Sequence, residues 1–227
     1  MKNRLISQIQ KANAQTNNAE FVATALRDAT TWTRFHTRTY NEHWQEEGRP
    51  HPEEAFPDDL YFEYVFACMD SMRIWWWEKS RDMMLSWACV AYLQRFAMTM
   101  PYCGILFQTQ KDKKVIQLVD YAKHLYRNSD PRIKKACPLS KPLERQSDHE
   151  LNFANGSYII GIPGGADQIR SYHPWGYLND ESSFQPDAGE CYNEALAAVK
   201  GKIIFNSSAG PGWYADARKD IVRSQED

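Results

Sequence analysis

From residue 72 onward, short apolar runs alternate with longer segments of helical periodicity, and this rhythm restricts the chain to an α/β fold built on a mainly parallel sheet. Met72 to Trp77 reads as a strand. Ser86 to Met100, apolar on nearly all sides, reads as a buried helix, and Gly104 to Phe107 as a second strand, which together make a βαβ unit. Val115, Leu118, Val119, Ala122, Leu125 and Tyr126 then recur at helical spacing while Lys113, Lys114, Gln117, Asp120 and Arg127 fall elsewhere, so the next helix is amphipathic and half exposed. Asn155-Gly156, a dipeptide that tolerates positive φ, separates Leu151 to Phe153 from Ser157 to Ile162 and predicts an antiparallel hairpin. Trp175 to Asn179, a helix over 190–199 and Lys202 to Asn206 restore the strand-helix-strand order, with helices expected on both faces of the sheet.

Ahead of this core, Leu5 and Ile9, then Phe21, Val22, Ala25, Leu26 and Ala29, predict helices through the first 30 residues with a break at Asn17 and Asn18. Residues 45–60, rich in Glu, Asp and Pro, read as an irregular connection. The expected organisation is an N-terminal helical arm and linker over 1–57 and a core domain over 58–227. A hydrophobic fraction of 43% over 227 residues is enough for a real core. No apolar run approaches the roughly 18 residues of a membrane span, and the N-terminus has no signal-peptide apolar region, so a cytoplasmic protein with no membrane partner is expected. Five widely spaced cysteines without a CxxC pair point to buried free thiols rather than zinc. The net charge of -2 conceals eight acids against Arg49 alone over 41–63, and ten Lys and Arg against four acids over 111–145. The basic segment suits a phosphate backbone, although solvated helix faces explain the same charges.

Three segments carry candidate chemistry. A strand, tight loop and helix over Ile74 to Trp87 would aim backbone N–H groups and a positive dipole end at one point, as a phosphate requires. The regular loop ends in Gly-Lys-Ser/Thr; here Met84-Leu85-Ser86 stands in its place, and Lys79 lies seven residues before the Ser86 hydroxyl. Tyr177-Leu178-Asn179-Asp180-Glu181 ends a strand in two acids, an Asp suited to supporting magnesium and a Glu suited to orienting a water. Asn206-Ser207-Ser208-Ala209 places small hydroxyl residues at the end of another strand, where they can sense a phosphate or simply turn the chain.

The order of these parts, with Phe107-Gln108-Thr109-Gln110 leading into a Lys-rich helix and Asn155-Gly156-Ser157 before Ile159-Ile160, resembles the ATPase domain of tailed-bacteriophage large terminase subunits over roughly residues 58–215. The resemblance implies a P-loop NTPase fold of the ASCE, RecA-like type: a mainly parallel sheet flanked by helices, with an N-terminal helical arm. It includes a deviant Walker A whose lysine opens the loop, as Lys79 does. It implies ATP and Mg2+ as substrate and cofactor, and nucleotide binding by Lys79, Ser80, Arg81, Asp82, Met83, Met84, Leu85, Ser86 and Trp87. Magnesium would be held at Ser86 and Asp180, catalysis would fall to Glu181, Lys79 and Arg81, and coupling to Ser207, Ser208 and Ala209. Double-stranded viral DNA, a portal protein, a small terminase subunit and a homo-oligomeric ring are the implied partners, in the host cytoplasm and at the prohead portal.

The sequence departs from the family at Met84, where glycine is usual, and at Gly176 and Asn179 in the Walker-B strand. No Gln lies between Glu46 and Leu93 to contact adenine, which leaves Tyr61, Phe62 or Tyr64 to stack on the base or pack in the core, and no segment corresponds to the family's nuclease domain. A helicase-like lobe, a metal-dependent nuclease using Asp148, Glu150, Asp180 and Glu181, and a non-catalytic assembly or DNA-binding domain are the alternatives.

Overall fold

The computed structural model describes residues 17–223. Residues 17–25 form helix α1, followed by α2 (Ala29–His36), a two-stranded ribbon of β1 (Thr39–Tyr40) and β2 (Glu53–Glu54), and α3 (Leu60–Ser71). The core then runs β3 (Ile74–Lys79), α4 (Leu85–Thr99), β4 (Gly104–Gln108), α5 (Asp112–Arg127), α6 (Pro131–Ala136), β5 (Glu150–Asn152), β6 (Tyr158–Ile162) and α7 (Ala166–Arg170). It ends with β7 (Gly176–Asp180), α8 (Ala188–Ala198), β8 (Ile203–Ser208) and α9 (Trp213–Arg223). These strands make a six-stranded sheet in the order β3-β8-β7-β4-β6-β5, parallel except for β5. The α/β class with a mainly parallel sheet is therefore as the sequence implies. No helix among the described residues is long and apolar enough to cross a membrane.

Period-two alternation builds a core on each face of the sheet. Ile105, Phe107, Leu178 and Ile204 face one core, shared with α2, α3, α4 and α5. Leu106, Tyr177, Ile203 and Phe205 face the other, closed by α7, α8 and α9. All of β4 and β7 is buried, as expected of central strands with helices on both sides, and in β4 this goes with the apolar run Ile105-Leu106-Phe107. The amphipathic prediction for α5 holds, with Val115, Leu118, Val119, Ala122, Leu125 and Tyr126 buried. Gly176 is glycine for a packing reason: a Cβ there would meet Ile105 Cδ1 at 2.7 Å and Leu93 Cδ2 at 3.0 Å, so it lets α4 lie close to β7.

Several boundaries differ from the sequence reading. Asn17 and Asn18 lie in α1, and the break falls at 26–28, because Asp28 accepts the Thr31 N–H at 2.7 Å and caps α2. Leu5 and Ile9 lie outside the described residues. The first core strand begins at Ile74 rather than Met72: Met72 is 61% exposed, and its carbonyl accepts from Lys202 Nζ at 2.7 Å. The 45–60 connection contains β2, zipped to β1. The N-terminal segment contributes Ala25, Leu26, Ala29, Trp32 and Phe56 to the first core, and Arg95 Nη1 donates to the carbonyls of Leu26 and Arg27 at 3.3 and 3.2 Å. The cysteines are free, with Cys89, Cys103 and Cys191 buried and Cys68 and Cys137 half-buried.

The Asn155-Gly156 hairpin is present: β5 pairs antiparallel with β6, and Gly156 has φ +83°. The atoms nearest to an added Cβ belong to the exposed Tyr102 ring, which can move, so the backbone conformation sets the cost. Gly156→Ala is expected to destabilise the protein by about 1 kcal/mol, read from chemical denaturation. No change would mean that the turn relaxes to negative φ.

Candidate active site

Strands β3, β8 and β7 lie side by side and parallel, so their C-terminal ends open at one edge of the sheet, the place where such folds collect ligands. Register does the rest. Lys79 lies beside Ser208, and Asp180 beside Asn206, so β8 puts its polar end between the lysine of β3 and the acids of β7.

Lys79 Nζ donates to Glu181 Oε1 at 3.0 Å and lies 3.5 Å from Ser208 Oγ. Glu181 also accepts from the Ser208 N–H at 3.2 Å and from Ser208 Oγ at 3.3 Å. Ser207 faces the turn after β7, where its Oγ accepts the Ser183 N–H at 3.0 Å. Ser86, in the first turn of α4, donates to Asp180 at 2.9 Å, and Asn206 Nδ2 donates to Asp180 Oδ1 at 2.5 Å and to Ser86 Oγ at 3.2 Å. Lys79, Ser86, Asp180, Glu181, Ser207 and Ser208 are thus brought together.

The loop between them is built without glycine. Asp82 and Met84 adopt positive φ, 61° and 50°, at a backbone cost of about 1–2 kcal/mol each. The Met84 side chain packs against the first core, so its bulk turns inward rather than over the loop. Ser80, Arg81, Asp82 and Met83 form the exposed turn, and Leu85 is buried. Trp87 is also buried, stacked on Tyr121 with ring centroids 3.9 Å apart, so its indole belongs to the core. Ala209 is exposed just beyond β8. Phe62 lies in the core, whereas Tyr64 is 65% exposed on α3. Asp148 and Glu150 sit at the β5 end of the sheet, with β4 and β6 between them and β7, so the four acids of the nuclease alternative do not converge. In the basic segment, Lys111, Lys113, Lys114, Arg127 and Lys135 are exposed, while Lys123 is buried and donates to the Ser147 carbonyl at 2.8 Å.

Asn206 is the site residue the sequence reading missed. It is fully buried, and its only signal is an amide at the end of the apolar run Ile203-Ile204-Phe205. Its Oδ1 and the Ser183 hydroxyl are buried without a hydrogen-bond partner among the described residues. The Ser86 hydroxyl and the Asp180 carboxylate, 2.9 Å apart, are hard oxygen donors of the kind that fits magnesium when most of its shell is water and phosphate. Among the described residues no three His, Cys, Asp or Glu side chains gather as a metal cage.

Burial, and then the charge of Glu181, push the Asp180 carboxyl up to about 6, against the opposing pull of Lys79, Ser86 and Asn206. The folded protein therefore binds this proton more tightly than the unfolded chain, and the Asp180 contribution to stability falls as pH rises from 3.8 to about 6. Without added magnesium, Asp180→Asn is expected to remove that fall, seen by comparing the melting temperatures of the two proteins across this range. Parallel profiles would sink the assignment.

The backbone superposes on the crystal structure of the HK97 bacteriophage large terminase with a TM-score of 0.62, covering 90% of this chain and 42% of that one at 9% identity. The chain shares its fold with a phage large terminase. It spans less than half the length of that terminase, and at this identity the likeness establishes the fold alone. The Thermus phage P74-26 large terminase ATPase domain aligns with a TM-score of 0.48 at 11% identity, over 79% of this chain and 73% of that one. The large terminase of a thermophilic bacteriophage, in complex with ADP, aligns with a TM-score of 0.42 at 14% identity, over 61% and 34%. No protein-family model and no curated protein matches the sequence.

Proposed function

We propose that this chain is the ATPase part of a viral DNA-packaging large terminase, hydrolysing ATP with magnesium to move double-stranded DNA into a prohead. The observation that carries the reading is the meeting of Lys79, Ser86, Asp180 and Glu181 where β3, β8 and β7 end. Lys79 and the N–H groups at the start of α4 bind the β and γ phosphates, with Arg81 as a second contact from the exposed turn. Ser86 and Asp180 would hold magnesium, which would supply positive charge to offset that of the phosphates.

Glu181 orients the attacking water. The bond from water oxygen to γ-phosphorus forms as the bond to the bridging oxygen breaks, the electron pair leaves with ADP, and the water proton passes toward the Glu181 carboxylate. Lys79 and Glu181 neutralise each other in this structure, so a phosphate that draws Lys79 away also frees the carboxylate for the water. Ser208 donates to Glu181 by backbone and side chain, which links that exchange to β8 and the Ser207-Ser208-Ala209 segment.

The portal protein, the small terminase subunit, a homo-oligomeric ring and a site in the host cytoplasm and at the prohead portal belong to the same proposal. Its direct test is magnesium-dependent phosphate release from ATP by the 227-residue chain. Lys79→Ala should abolish ATP binding in calorimetry. A parent chain that neither binds nor hydrolyses ATP overturns the reading.

A further inference from the structure

Beneath the acids of β7 lies a second group of polar side chains that the mechanism above does not use. Gln108, Tyr177, Asn179, Ser182 and Gln185 are all buried, with exposures from 0% to 5%. Their hydrogen bonds form one chain. Gln108 Nε2 donates to the carbonyls of Pro163 at 2.7 Å and Gly165 at 3.0 Å. Gln108 Oε1 accepts from the Tyr177 hydroxyl, whose oxygen accepts from Asn179 Nδ2 at 2.8 Å. Asn179 Oδ1 accepts from Gln185 Nε2 at 2.7 Å and from Ser182 Oγ at 2.7 Å. Gln185 Nε2 gives its second hydrogen to the backbone carbonyl of Asp180 at 2.8 Å.

The polarity of this chain is fixed from one end to the other. Both hydrogens of the Gln108 amide are taken by carbonyls, so its oxygen must face Tyr177, and Tyr177 must donate. The phenol oxygen can then only accept, which orients Asn179, and the Asn179 oxygen in turn orients Gln185. Burial raises the Tyr177 phenol, so it keeps its proton to donate.

The far end of the chain is the peptide joining Asp180 to Glu181, and Glu181 itself sits at φ 56°, ψ 45°. A left-handed glutamate persists only where its surroundings hold it. We propose that Gln185 is a positioning residue for Glu181, holding the Asp180–Glu181 peptide in this conformation, and that its own orientation is set from the Pro163–Gly165 loop through Gln108, Tyr177 and Asn179. The inference rests on the ATPase reading for its kinetic consequence and on geometry alone for its wiring.

In Gln185→Glu a carboxylate of nearly the same shape faces two carbonyl-type oxygens, and Gln108→Glu does the same at the other end. Gln185→Glu is expected to lower kcat for ATP about 10–100-fold with KM within about threefold, since a misplaced reacting group costs rate rather than affinity. Gln108→Glu should lower kcat in the same way, and the double variant should lose no more than the worse single one, as members of one unit do. The neutral variants Gln185→Met and Gln108→Met, checked for folding by melting temperature, repeat the cycle if the charged ones do not fold. An unchanged kcat in folded Gln185 variants, or losses that multiply, overturns the proposal. If the parent chain releases no phosphate, the ATPase reading fails, and the wiring is decided by side-chain amide NMR. Gln108→Met should then shift the Gln185 and Asn179 amide resonances, and unmoved resonances overturn it.

Discussion

Glu181→Gln is expected to leave ATP binding intact and to lower turnover by at least about 100-fold, the scale on which a positioned base contributes. The substituted amide has the size of the carboxylate, but its single oxygen can replace only one of the two that Glu181 uses, Oε1 for Lys79 Nζ at 3.0 Å and Oε2 for the Ser208 N–H at 3.2 Å. It cannot take a proton from water. Because the amide carries no charge, Lys79 also loses its counter-ion, and ATP affinity should be equal to the parent's or higher. Calorimetry with ATP and magnesium reads the first quantity, and phosphate release the second. Unchanged hydrolysis would falsify the role given to Glu181, while lost binding would show that the carboxylate only supports the fold around Lys79.

Phe205→Ala should be the most damaging single change to the fold. Phe205 is fully buried on β8, stacked on Trp76 at 5.1 Å between ring centroids, with Tyr177, Tyr192 and Trp213 at 5.8, 5.6 and 6.2 Å. Four large rings on four different elements cannot all move into the space of a deleted phenyl group, so a cavity remains. The expected loss is about 3–5 kcal/mol in chemical denaturation, and the melting temperature should fall by roughly 10 °C. A loss below about 1 kcal/mol would mean that these rings do not pack as described. The next residue along β8 is Asn206, so a folded Phe205→Ala protein should also report a disturbed Asp180.

The α/β class and most core elements could be read from the sequence because central strands and amphipathic helices leave strong periodic traces. Val115 to Tyr126 announce α5, and Ile203 to Phe205 announce β8. Local chemistry announced the hairpin at Asn155-Gly156. The starts of α2 and β3 were misread, since they depend on contacts the pattern does not carry: the Asp28 cap and the pairing of Ile74 with Ile203. Residue type and order singled out Lys79, Ser86, Asp180 and Glu181, which the structure brings together. Asn206 and Gln185 were not singled out, because an isolated amide has no periodicity, and its meaning appears only when strands far apart in sequence lie side by side. Met84 looked like a defect in one dimension, and in three its side chain turns into the core.

Among the described residues β3 pairs with β8 alone, so the lysine strand is suspended from one neighbour. That same neighbour touches Glu181 through Ser208 and Asp180 through Asn206. A sub-ångström slide of β8 along the sheet would therefore change the distance from Lys79 to the acids and the grip on both acids in a single movement. Mechanically, β8 is a strand through which movement of the helices packed on it can reach both acids at once, while Trp76 of β3 meets α8 and α9 directly at Tyr192, Trp213 and Tyr214.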